Sequence, residues 1–402
     1  MRISILALLA SLALAACSEQ PADSKKGKAT GSTTAAQPAA PAPQPAPPAA
    51  QPAPAQPAAA SKEVVVDYRV LDQFEVGDKV YVRSFLLDDK QQSLWIGTSL
   101  GVHEIDLKNQ QVKQTFTRDH GLANEYVFGM GRDRDGYIWF GTNAGGASRF
   151  KDGKWQTFFP MHGLADYWVY TFANHPDGKL WVGTWAGVSR FDPDTGKFEN
   201  FVKELINEWV YAIDIDSQKR TWFGTEGGIS RFDGKEWKSW NHDDGLGADN
   251  TENLPNSINT GLGTRKRHDL GVLTGGKPTF NPNYVFSLKV DKDDSVWAGT
   301  WGGGISHFDG QKWTNYTKKD GLPGSIVYSL IRTSDGDLWA GTENGIGRMH
   351  LGVWSPFIGN GSMHGESIYT MVETPNGDIW AGLRGRVIRI GKVTQPAAAQ
   401  TR

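Results

Sequence analysis

The sequence predicts an all-β protein that folds as a single seven-bladed β-propeller of four-stranded blades. Three observations support this fold class. The 402 residues include 16 Trp and 48 Gly but only 6 Met, which favours short aromatic-packed strands joined by tight turns. One phrase returns seven times with a period of forty-odd residues, which has room for four short strands. Glycine or proline also interrupts each period too often for a helical repeat.

The repeated phrase marks the second and third strands of each blade. Its tryptophans are spaced by 44, 42, 41, 75, 42 and 41 residues, so seven units emerge, with an insertion of roughly 33 residues in the long step. Sheets of this size cannot bury both faces alone, and radial stacking of such sheets gives a propeller. We expect each tryptophan to fill the gap between neighbouring blades. These residues are Trp95, Trp139, Trp181, Trp222, Trp297, Trp339 and Trp380.

The unit that contains LWVGTWAGVSRFD shows how turn chemistry separates the strands. An alternating apolar segment over 167–172 is followed by a Pro-Asp-Gly turn at 176–178 and then by the second strand. A Gly-rich bend leads into a third strand over 188–191, and a further Asp/Gly turn leads into a fourth over 198–202. Similar Asp-rich turns recur in most units, which indicates hairpin turns rather than calcium sites.

The two ends of the domain are expected to close the ring together. The seventh unit ends after its third strand, near residue 390. At the other end, an apolar segment over 64–71 precedes the first unit and has no earlier partner. This segment is therefore predicted to be the outer strand of the last blade, which would remove an open sheet edge. The propeller is assigned to 63–391, with an insertion at about 242–281 between blades four and five and a disordered tail over 392–402.

The N-terminal stretch MRISILALLASLALAACSEQ has the features of an export signal. Its apolar run from Ile3 to Leu14 is too short to span a membrane. The residues LAAC that end at Cys17 resemble the lipobox of bacterial lipoproteins, in which the peptide is cut before the cysteine and the cysteine carries the lipid. Ser18 favours the outer membrane by the sorting habit of that family. An ordinary cleaved signal over 1–17 with a chance cysteine is the alternative.

Composition excludes several classes of function. The formal net charge is −2 with acids and bases interspersed, so no field would recruit nucleic acid. Cys17 is the only cysteine, which excludes an internal disulfide framework. The Pro/Ala-rich segment over 18–62 has too few apolar anchors to fold and is expected to be a disordered, extended linker. A Pro-rich ligand for another domain is the alternative for this segment.

The repeat also carries a recognisable pattern. LWxGTxxGxxRFD is followed by a Trp, a Phe or Tyr three residues later and then Gly-Leu, as from Trp155 to Gly163 and from Trp313 to Gly321. This pattern resembles the two-component regulator propeller repeat and covers nearly all of residues 64–391. The resemblance implies a propeller with a recognition role, since such propellers form the periplasmic sensor part of membrane histidine kinases. With one ring and no kinase in this sequence, we expect a stand-alone lipoprotein.

Recognition is expected on one face of the ring. In a propeller, the bends between second and third strands share a face with the crossings from blade to blade, and mixed polar and aromatic groups there suit a polar ligand or a partner loop. The predicted ligand or partner face includes Asn143, Trp185, Glu226, Trp301, Glu343, Arg384, Glu125, Asp166, Glu208, His120 and His162. Trp185 and Trp301 are the most distinctive, because the other bends carry small or polar residues. A solvated loop face is the alternative.

The insertion falls in one of the crossings and is expected on the same face. Loops of this length are usually functional or disordered. It contains a short basic cluster with Arg265, Arg267 and His268, which could bind an acidic partner or an anionic sugar. A solvated loop is the alternative reading of this cluster.

Two functions stay open at this stage. The first is a lipid-anchored binding, sensor-like or scaffold module without a cofactor, which recognises an envelope protein partner or a saccharide-like ligand. The second is an enzyme, because some seven-bladed propellers, such as streptogramin lyases, catalyse eliminations with a histidine and a divalent metal. His120, His162 and His364 with Glu125 would be the candidates, and a general base must lie within hydrogen-bond reach of its substrate proton. The sequence contains no His-x-x-x-His pair and no phosphate loop, so binding is favoured.

Overall fold

The computed structural model describes residues 65–395, apart from residues 89, 91, 258–278 and 362. In this part of the chain, 28 strands form seven antiparallel sheets of four strands, arranged as a seven-bladed β-propeller. The predicted fold class is confirmed. Cys17, the predicted signal peptide and the predicted linker lie outside the described residues. Within the described ranges, no helix has both the length and the apolar character that a membrane crossing requires.

In blades 1 to 3, the strands follow chain order from the channel outwards. Blade 1 consists of β2 (Val82–Asp88), β3 (Ser93–Thr98), β4 (Gly101–Asp106) and β5 (Val112–Phe116). Blade 2 consists of β6 (Val127–Arg132), β7 (Ile138–Thr142), β8 (Ala147–Lys151) and β9 (Lys154–Phe158). Blade 3 consists of β10 (Val169–Asn174), β11 (Leu180–Thr184), β12 (Gly187–Asp192) and β13 (Lys197–Phe201).

Blades 4 to 6 repeat this order, and blade 7 is completed from the other end of the domain. Blade 4 consists of β14 (Val210–Ile215), β15 (Thr221–Thr225), β16 (Gly228–Phe232) and β17 (Trp237–Trp240). Blade 5 consists of β18 (Asn281–Val290), β19 (Val296–Trp301), β20 (Ile305–Phe308) and β21 (Trp313–Tyr316). Blade 6 consists of β22 (Val327–Arg332), β23 (Leu338–Thr342), β24 (Gly345–His350) and β25 (Val353–Pro356). Blade 7 consists of β26 (Thr370–Glu373), β27 (Ile379–Gly382), β28 (Arg386–Gln395) and β1 (Val65–Glu75).

Strand β1 closes the ring, as predicted. It pairs antiparallel with β28 from Val65 opposite Gln395 to Glu75 opposite Arg386. Both strands are longer than expected: β1 continues past residue 71, and β28 includes Lys392 and the residues after it, which were assigned to the tail. Each strand satisfies the backbone hydrogen bonds of the other, so the two strands stay paired beyond the residues that carry the repeat pattern.

The seven repeat tryptophans fill the seams between blades. Each is at most 4% exposed. Trp139, for example, stacks on Phe158 of its own blade at 5.1 Å and meets Phe191 of the next blade edge-on at 4.9 Å between ring centroids. Its indole N–H donates to Asp133 Oδ2 at 2.8 Å. Trp222 and Trp297 donate likewise to Asp216 at 2.8 Å and Asp291 at 2.9 Å, so the Asp-rich turn holds the tryptophan in place in blades 2, 4 and 5.

The Gly-Thr pair that follows the tryptophan in blades 1 to 6 has a steric and a hydrogen-bonding role. A Cβ placed on Gly183 would lie 2.6 Å from Thr171 Cγ2 and 3.0 Å from the carbonyl oxygen of Val210 in the next blade. Only glycine therefore lets the blades approach this closely. Thr184 Oγ1 donates to the carbonyl of Gly187 at 2.7 Å and so closes the bend. The Gly-Thr pair therefore stabilises the fold by allowing close packing of the blades and by closing the bend.

Candidate functional site

The bends and the crossings form one face of the ring, which we call the crossing face. In blade 2, the backbone N–H of Asn143 in the bend donates to the carbonyl of Tyr126 at the start of the inner strand, at 2.9 Å. The N–H of Gly146 in the same bend donates to the carbonyl of Tyr167 at the start of the next blade, at 2.8 Å. The opposite face, with the hairpins inside each blade, is called the hairpin face.

Four crossings begin with a short 3₁₀ turn that has a common cap. The turns are Arg118–His120, Pro160–His162, His242–Asp244 and Lys318–Asp320. In the first two, Nδ1 of His120 or His162 accepts the backbone N–H of the residue before the turn, at 3.2 and 3.0 Å. In the other two, a carboxylate oxygen of Asp244 or Asp320 accepts the same bond, at 2.9 and 2.8 Å. His120 and His162 therefore have a structural role that aspartate also fills.

The structure does not assemble the candidate histidines into a catalytic group. His120 and His162 belong to different crossings and bond within their own turns. His364 is exposed in the crossing before blade 7, and Glu125 forms an ion pair with Arg118 at 2.8 Å. Among the described residues, no three His, Cys, Asp or Glu side chains are grouped so that they could hold a metal ion.

Trp301 lies in the interior rather than on the rim. Its side chain is 0% exposed and its ring stacks on Tyr284, with ring centroids 5.2 Å apart. Its indole N–H donates to Thr279 Oγ1 at 3.0 Å. The ring predicted for the ligand face is therefore not exposed at this position, because Tyr284 at the start of blade 5 covers it.

Trp185 is also largely covered. It is 8% exposed and packs against Trp168 and Trp209, with ring centroids 5.2 and 4.5 Å away. These three rings form an aromatic cluster that joins blades 3 and 4 below the crossing face. Most of the Trp185 side chain thus stabilises the contact between these blades.

Two carboxyl groups of the bends are turned inwards. Glu226 is buried, and Tyr211 Oη donates to its Oε2 at 3.4 Å. The two carboxylate oxygens of Glu343 accept the backbone N–H groups of Ser325 and Ile326, each at 2.9 Å. Burial raises the pKa of the Glu343 carboxyl, although these backbone donors oppose the effect. Both residues were predicted as face residues, and both bind mainly within the propeller.

The other predicted face residues remain at or near the surface. Asp166 Oδ1 accepts the backbone N–H two residues further on, at 2.8 Å. Glu208 and Asn143 are half-buried, and Arg384 is exposed. The bends and crossings thus offer both acidic and basic groups to solvent, as expected for a polar rim.

The predicted basic cluster Arg265, Arg267 and His268 lies outside the described residues. The described base of the insertion is fixed to the ring. Lys318 Nζ forms an ion pair with Glu252 at 2.7 Å, and Ser325 Oγ also donates to this carboxylate. The N–H of Ser257 donates to the carbonyl of Phe280 at 2.9 Å, so the two ends of the segment between them are adjacent.

Exposed apolar side chains are a further feature of the crossing face. Met161 is 83% exposed, Tyr167 45% and Val202 41%, and all three lie in the crossings that flank blade 3. The ring of the half-buried Phe159 lies 5.9 Å from that of Tyr167. We call these four residues the apolar patch. Sequence reasoning named Met161 only as a loop residue and missed the patch, although apolar residues within polar crossings were a readable signal.

Every inner strand carries one side chain at the central channel. In six blades, the register between the first and second strands shifts by one residue, and such a β-bulge redirects the extra side chain. In blade 7, Tyr369 holds the equivalent position directly before β26. The seven residues, which we call the bulge residues, are Arg83, Phe128, Tyr170, Tyr211, Phe286, Tyr328 and Tyr369. Six are aromatic and one is cationic.

The bulge residues line a central cavity of about 260 Å³. Its walls continue along the inner strands to residues such as Phe85, Met130 and Leu330, towards the hairpin face. Sequence reasoning missed this cavity. The signal was an aromatic residue after the Val or Ile at the start of six of the seven inner strands, and it appears when these units are aligned on their tryptophans.

Four segments of the chain match the model of the family described as two component regulator propeller. They are residues 121–144, 163–186, 279–302 and 321–344. Each segment runs from a crossing through the two inner strands of a blade to the bend. A search of curated protein sequences gave no significant match.

Solved structures with the same fold are similar to this chain at low sequence identity. The extracellular domain of a hybrid two-component system from B. thetaiotaomicron matches with a TM-score of 0.60 and 21% identity, over 78% of this chain and 39% of that one. The chain therefore spans about two fifths of that domain. A catalytically inactive virginiamycin B lyase from Staphylococcus aureus with quinupristin matches with a TM-score of 0.58 and 15% identity, over 82% of this chain and 100% of that one. These likenesses concern the fold alone.

Proposed function

Because the chain carries repeats of the two-component regulator propeller family, we propose that it is a sensor-like or scaffold binding module of the bacterial envelope that recognises a protein partner. The partner binds the crossing face at the apolar patch. The fold that the chain shares with the extracellular domain of a hybrid two-component system is compatible with a role outside the cytoplasm.

The exposure of the apolar patch carries this proposal. Apolar side chains that are rimmed by polar groups mark interaction surfaces more often than scattered single ones do. Met161, Tyr167 and Val202 lie in neighbouring crossings, and the rim nearby includes Asp166 and Glu208. An apolar centre with a polar rim is the usual composition of a protein interface.

A protein partner fits this face better than a saccharide. The two bend tryptophans that could stack on a sugar ring, Trp185 and Trp301, are buried, and two of the three exposed residues of the apolar patch, Met161 and Val202, are aliphatic. The lyase-type alternative needs converging histidine and carboxylate groups, which are not found among the described residues. Nothing in the described chain therefore favours the enzyme hypothesis over binding.

The proposal includes a lipid anchor on Cys17 and a Pro/Ala-rich spacer over 18–62. An extended spacer of this composition rises ~3.1 Å per residue, so it could hold the propeller on the order of 100 Å from the membrane. A module at this distance could reach partners that are embedded in, or attached to, either side of the periplasm.

Crosslinking in intact cells tests the patch as the binding surface. The variant Met161→Lys/Val202→Lys adds two charges to the apolar patch and should lose the crosslinked partner. The matched control Leu351→Lys/Val353→Lys makes the same change at two exposed residues of an outer hairpin in blade 6 and should keep it. Equal loss in both variants, or full retention in the patch variant, would contradict the proposal. Thermal unfolding of the purified variants confirms that each ring is folded.

Deletion of residues 258–277 in the same assay tests the insertion. The deletion keeps Glu252 and its contacts with Lys318 and Ser325, and the adjacent positions of Ser257 and Phe280 allow a short Gly-Ser connection. We expect a folded ring with reduced partner capture. Retention of every partner by this variant would show that the predicted basic cluster is not the recognition element.

A further inference from the structure

The third strand of five blades carries an arginine directly opposite the seam tryptophan, and the arginine of blade 4 differs from the others in its partners. In the other four blades, the arginine donates a hydrogen bond to an acceptor of its own blade. These pairs are Arg149 with Gln156, Arg190 with Asp177, Arg348 with Asp337 and Arg389 with Asp378. Arg231 of blade 4 has no such acceptor among the described residues, and its Nε is buried without a hydrogen-bond partner.

The residue that faces Arg231 across the sheet is a second cation. Lys238 of the fourth strand lies directly opposite Arg231 in the register. The residues opposite the corresponding arginines of blades 2, 3 and 7 are Gln156, Glu199 and Asp72. Like charges directly opposite each other destabilise an antiparallel pair. Blade 4 thus has an unfavourable contact where these three blades have a favourable one.

A third cation lies on the same side of the blade. Arg220 is found two residues before the seam tryptophan, where blades 6 and 7 have the acceptors Asp337 and Asp378. Its guanidinium is engaged by Asp216 at 2.5 Å. Burial lowers the pKa of Arg231, and the positive charge of Arg220 lowers it further. The region around Arg231 therefore disfavours its positive charge.

The carboxylates nearest to Arg231 have other partners. Asp216 accepts the indole N–H of Trp222 at 2.8 Å in addition to its contact with Arg220. Asp233 Oδ1 accepts the backbone N–H groups of Lys235 and Glu236 at 2.9 and 2.8 Å. Both carboxylates favour the charged form of Arg231, but neither forms an ion pair with it.

Two indole rings hold the cations at the seam between blades 4 and 5. The guanidinium carbon of Arg231 is 5.5 Å from the ring centroid of Trp222 and 5.7 Å from that of Trp240, and Lys238 Nζ is 5.0 Å from the same Trp240 ring. The Trp240 ring in turn packs on Phe308 of blade 5, with ring centroids 5.3 Å apart. Arg231 is half-buried and Lys238 is exposed. Both charges are thus positioned by the fold and remain accessible to an anion from solvent.

We propose that Arg231 and Lys238 bind a phosphate group, carried either by a soluble phosphate monoester or by a lipid headgroup. The planar guanidinium donates two parallel hydrogen bonds to phosphate oxygens, and the lysine ammonium adds a point charge beside it. A phosphate monoester carries about two negative charges at neutral pH, which matches the two cations. The bound anion also relieves the repulsion between them. This site lies in the seam between blades 4 and 5 and does not depend on the apolar patch.

Titration calorimetry of the purified full chain with glycerol 3-phosphate tests this assignment, at low ionic strength because salt screens exposed charges. Lys238→Gln gives blade 4 the Arg-Gln pair of blade 2, and Lys238→Glu gives it the Arg-Glu pair of blade 3, so both variants should fold. We expect each to weaken binding at least roughly tenfold, the effect of losing one charge-assisted hydrogen bond. The matched control Lys154→Gln removes the same charge from an exposed lysine in the outer strand of blade 2 and should bind like wild type.

A second probe distinguishes the two sources of phosphate. Glycerophosphoglycerol is the headgroup of phosphatidylglycerol, and its phosphate diester carries a single negative charge. Weaker binding of this diester than of glycerol 3-phosphate identifies a soluble monoester as the ligand. Equal or tighter binding of the diester identifies a lipid headgroup.

A loss of binding that is confined to the Lys238 variants supports the site. The same affinity in wild type and both Lys238 variants, an equal loss in the Lys154→Gln control, or no binding of either probe at millimolar concentration would overturn it. Thermal unfolding confirms that each variant is folded. Met161→Lys/Val202→Lys should bind glycerol 3-phosphate like wild type, so failure of the partner proposal and failure of this one can be told apart.

Discussion

At the scale of single residues, chemically different side chains can occupy equivalent positions of the repeat when the fold needs only one property that they share. In the crossings, this property is the ability to accept a hydrogen bond. The N–H before each 3₁₀ turn needs an acceptor, and Nδ1 of His120 and His162 provides it as the carboxylates of Asp244 and Asp320 do. A histidine in a propeller crossing is therefore weak support for catalysis. The cap explains its presence without any reaction.

This equivalence leads to a prediction for His162. The variant His162→Ala loses the cap and should lower the free energy of unfolding by about 1 kcal/mol, the usual effect of losing a capping side chain. The variant His162→Asp supplies the acceptor used in blades 4 and 5 and should recover most of that loss. Urea unfolding at neutral pH measures both. If Asp is no better than Ala, the histidine ring contributes by packing rather than as an acceptor.

The burial of the tryptophan side chains in the bends was not predictable from the repeat pattern. Trp181 and Trp185 are four residues apart, and alignment correctly assigned the first to a seam between blades. The environment of Trp185 depends on Trp168 and Trp209, which directly precede the inner strands of blades 3 and 4. A sequence pattern that repeats once per blade does not show which side chains of adjacent blades contact each other.

At the scale of elements, the closing strand β1 is held by more than backbone pairing. Tyr68 is buried and meets Trp339 of blade 6 edge-on, with ring centroids 5.0 Å apart. Its hydroxyl donates to Asp335 Oδ2 at 2.6 Å, and Lys392 Nζ of β28 approaches the same oxygen at 3.0 Å. One carboxylate of blade 6 thus binds both strands that close blade 7.

This carboxylate makes ring closure sensitive to acid. Burial alone would raise the pKa of Asp335, but hydrogen bonds from Thr333, Tyr68 and Lys392 outweigh it and hold the pKa well below its ordinary range. A depressed carboxyl pKa stabilises the folded state above the unfolded value of about 3.9, and this contribution is lost as the pH falls below it. Asp335→Asn should therefore be less stable than wild type at pH 7, and the difference should shrink below about pH 4.

Urea unfolding as a function of pH checks this prediction. Asp152→Asn, at an exposed hairpin turn of blade 2, is the matched control and should follow the wild-type curve. A difference between Asp335→Asn and wild type that stays constant from pH 7 to pH 3 would show that the carboxylate charge has no part in closure. Hydrogen exchange of β1 and β28 shows whether the loss is located at the closing strands.

The closing strand also shows how much of a single strand can be predicted from the sequence. The missing fourth strand of blade 7 and the unmatched apolar segment at residue 64 predicted the pairing. The extent of the strands was not predictable, because Lys392 and the residues after it lack the repeat pattern, and their backbone pairing with β1 leaves no signal in the sequence. In the same way, a β-bulge changes the register by one residue and leaves no mark in composition, so the cavity of bulge residues was overlooked.

At the scale of the whole molecule, the proposed lipid anchor predicts where the protein is found. Cys17→Ser removes the thiol that would carry the lipid. We expect wild type in the membrane fraction of lysed cells and the variant in the soluble fraction or, uncleaved, with its signal peptide attached. Membrane fractionation with immunoblotting of the propeller distinguishes these outcomes. Labelling by a palmitate analogue that is equal in both proteins would contradict the lipoprotein assignment.

The position of β1 also determines how the ring responds to force. Val65 lies towards the hairpin face, whereas Glu75 lies opposite Arg386 near the crossing face. A pull on Val65 that is resisted by a partner on the crossing face acts along β1 and slides it against β28. In this shear geometry the hydrogen bonds of the pair are loaded together rather than broken one after another. The strand that completes the ring is thus also the one suited to carry tension between the proposed tether and the proposed partner.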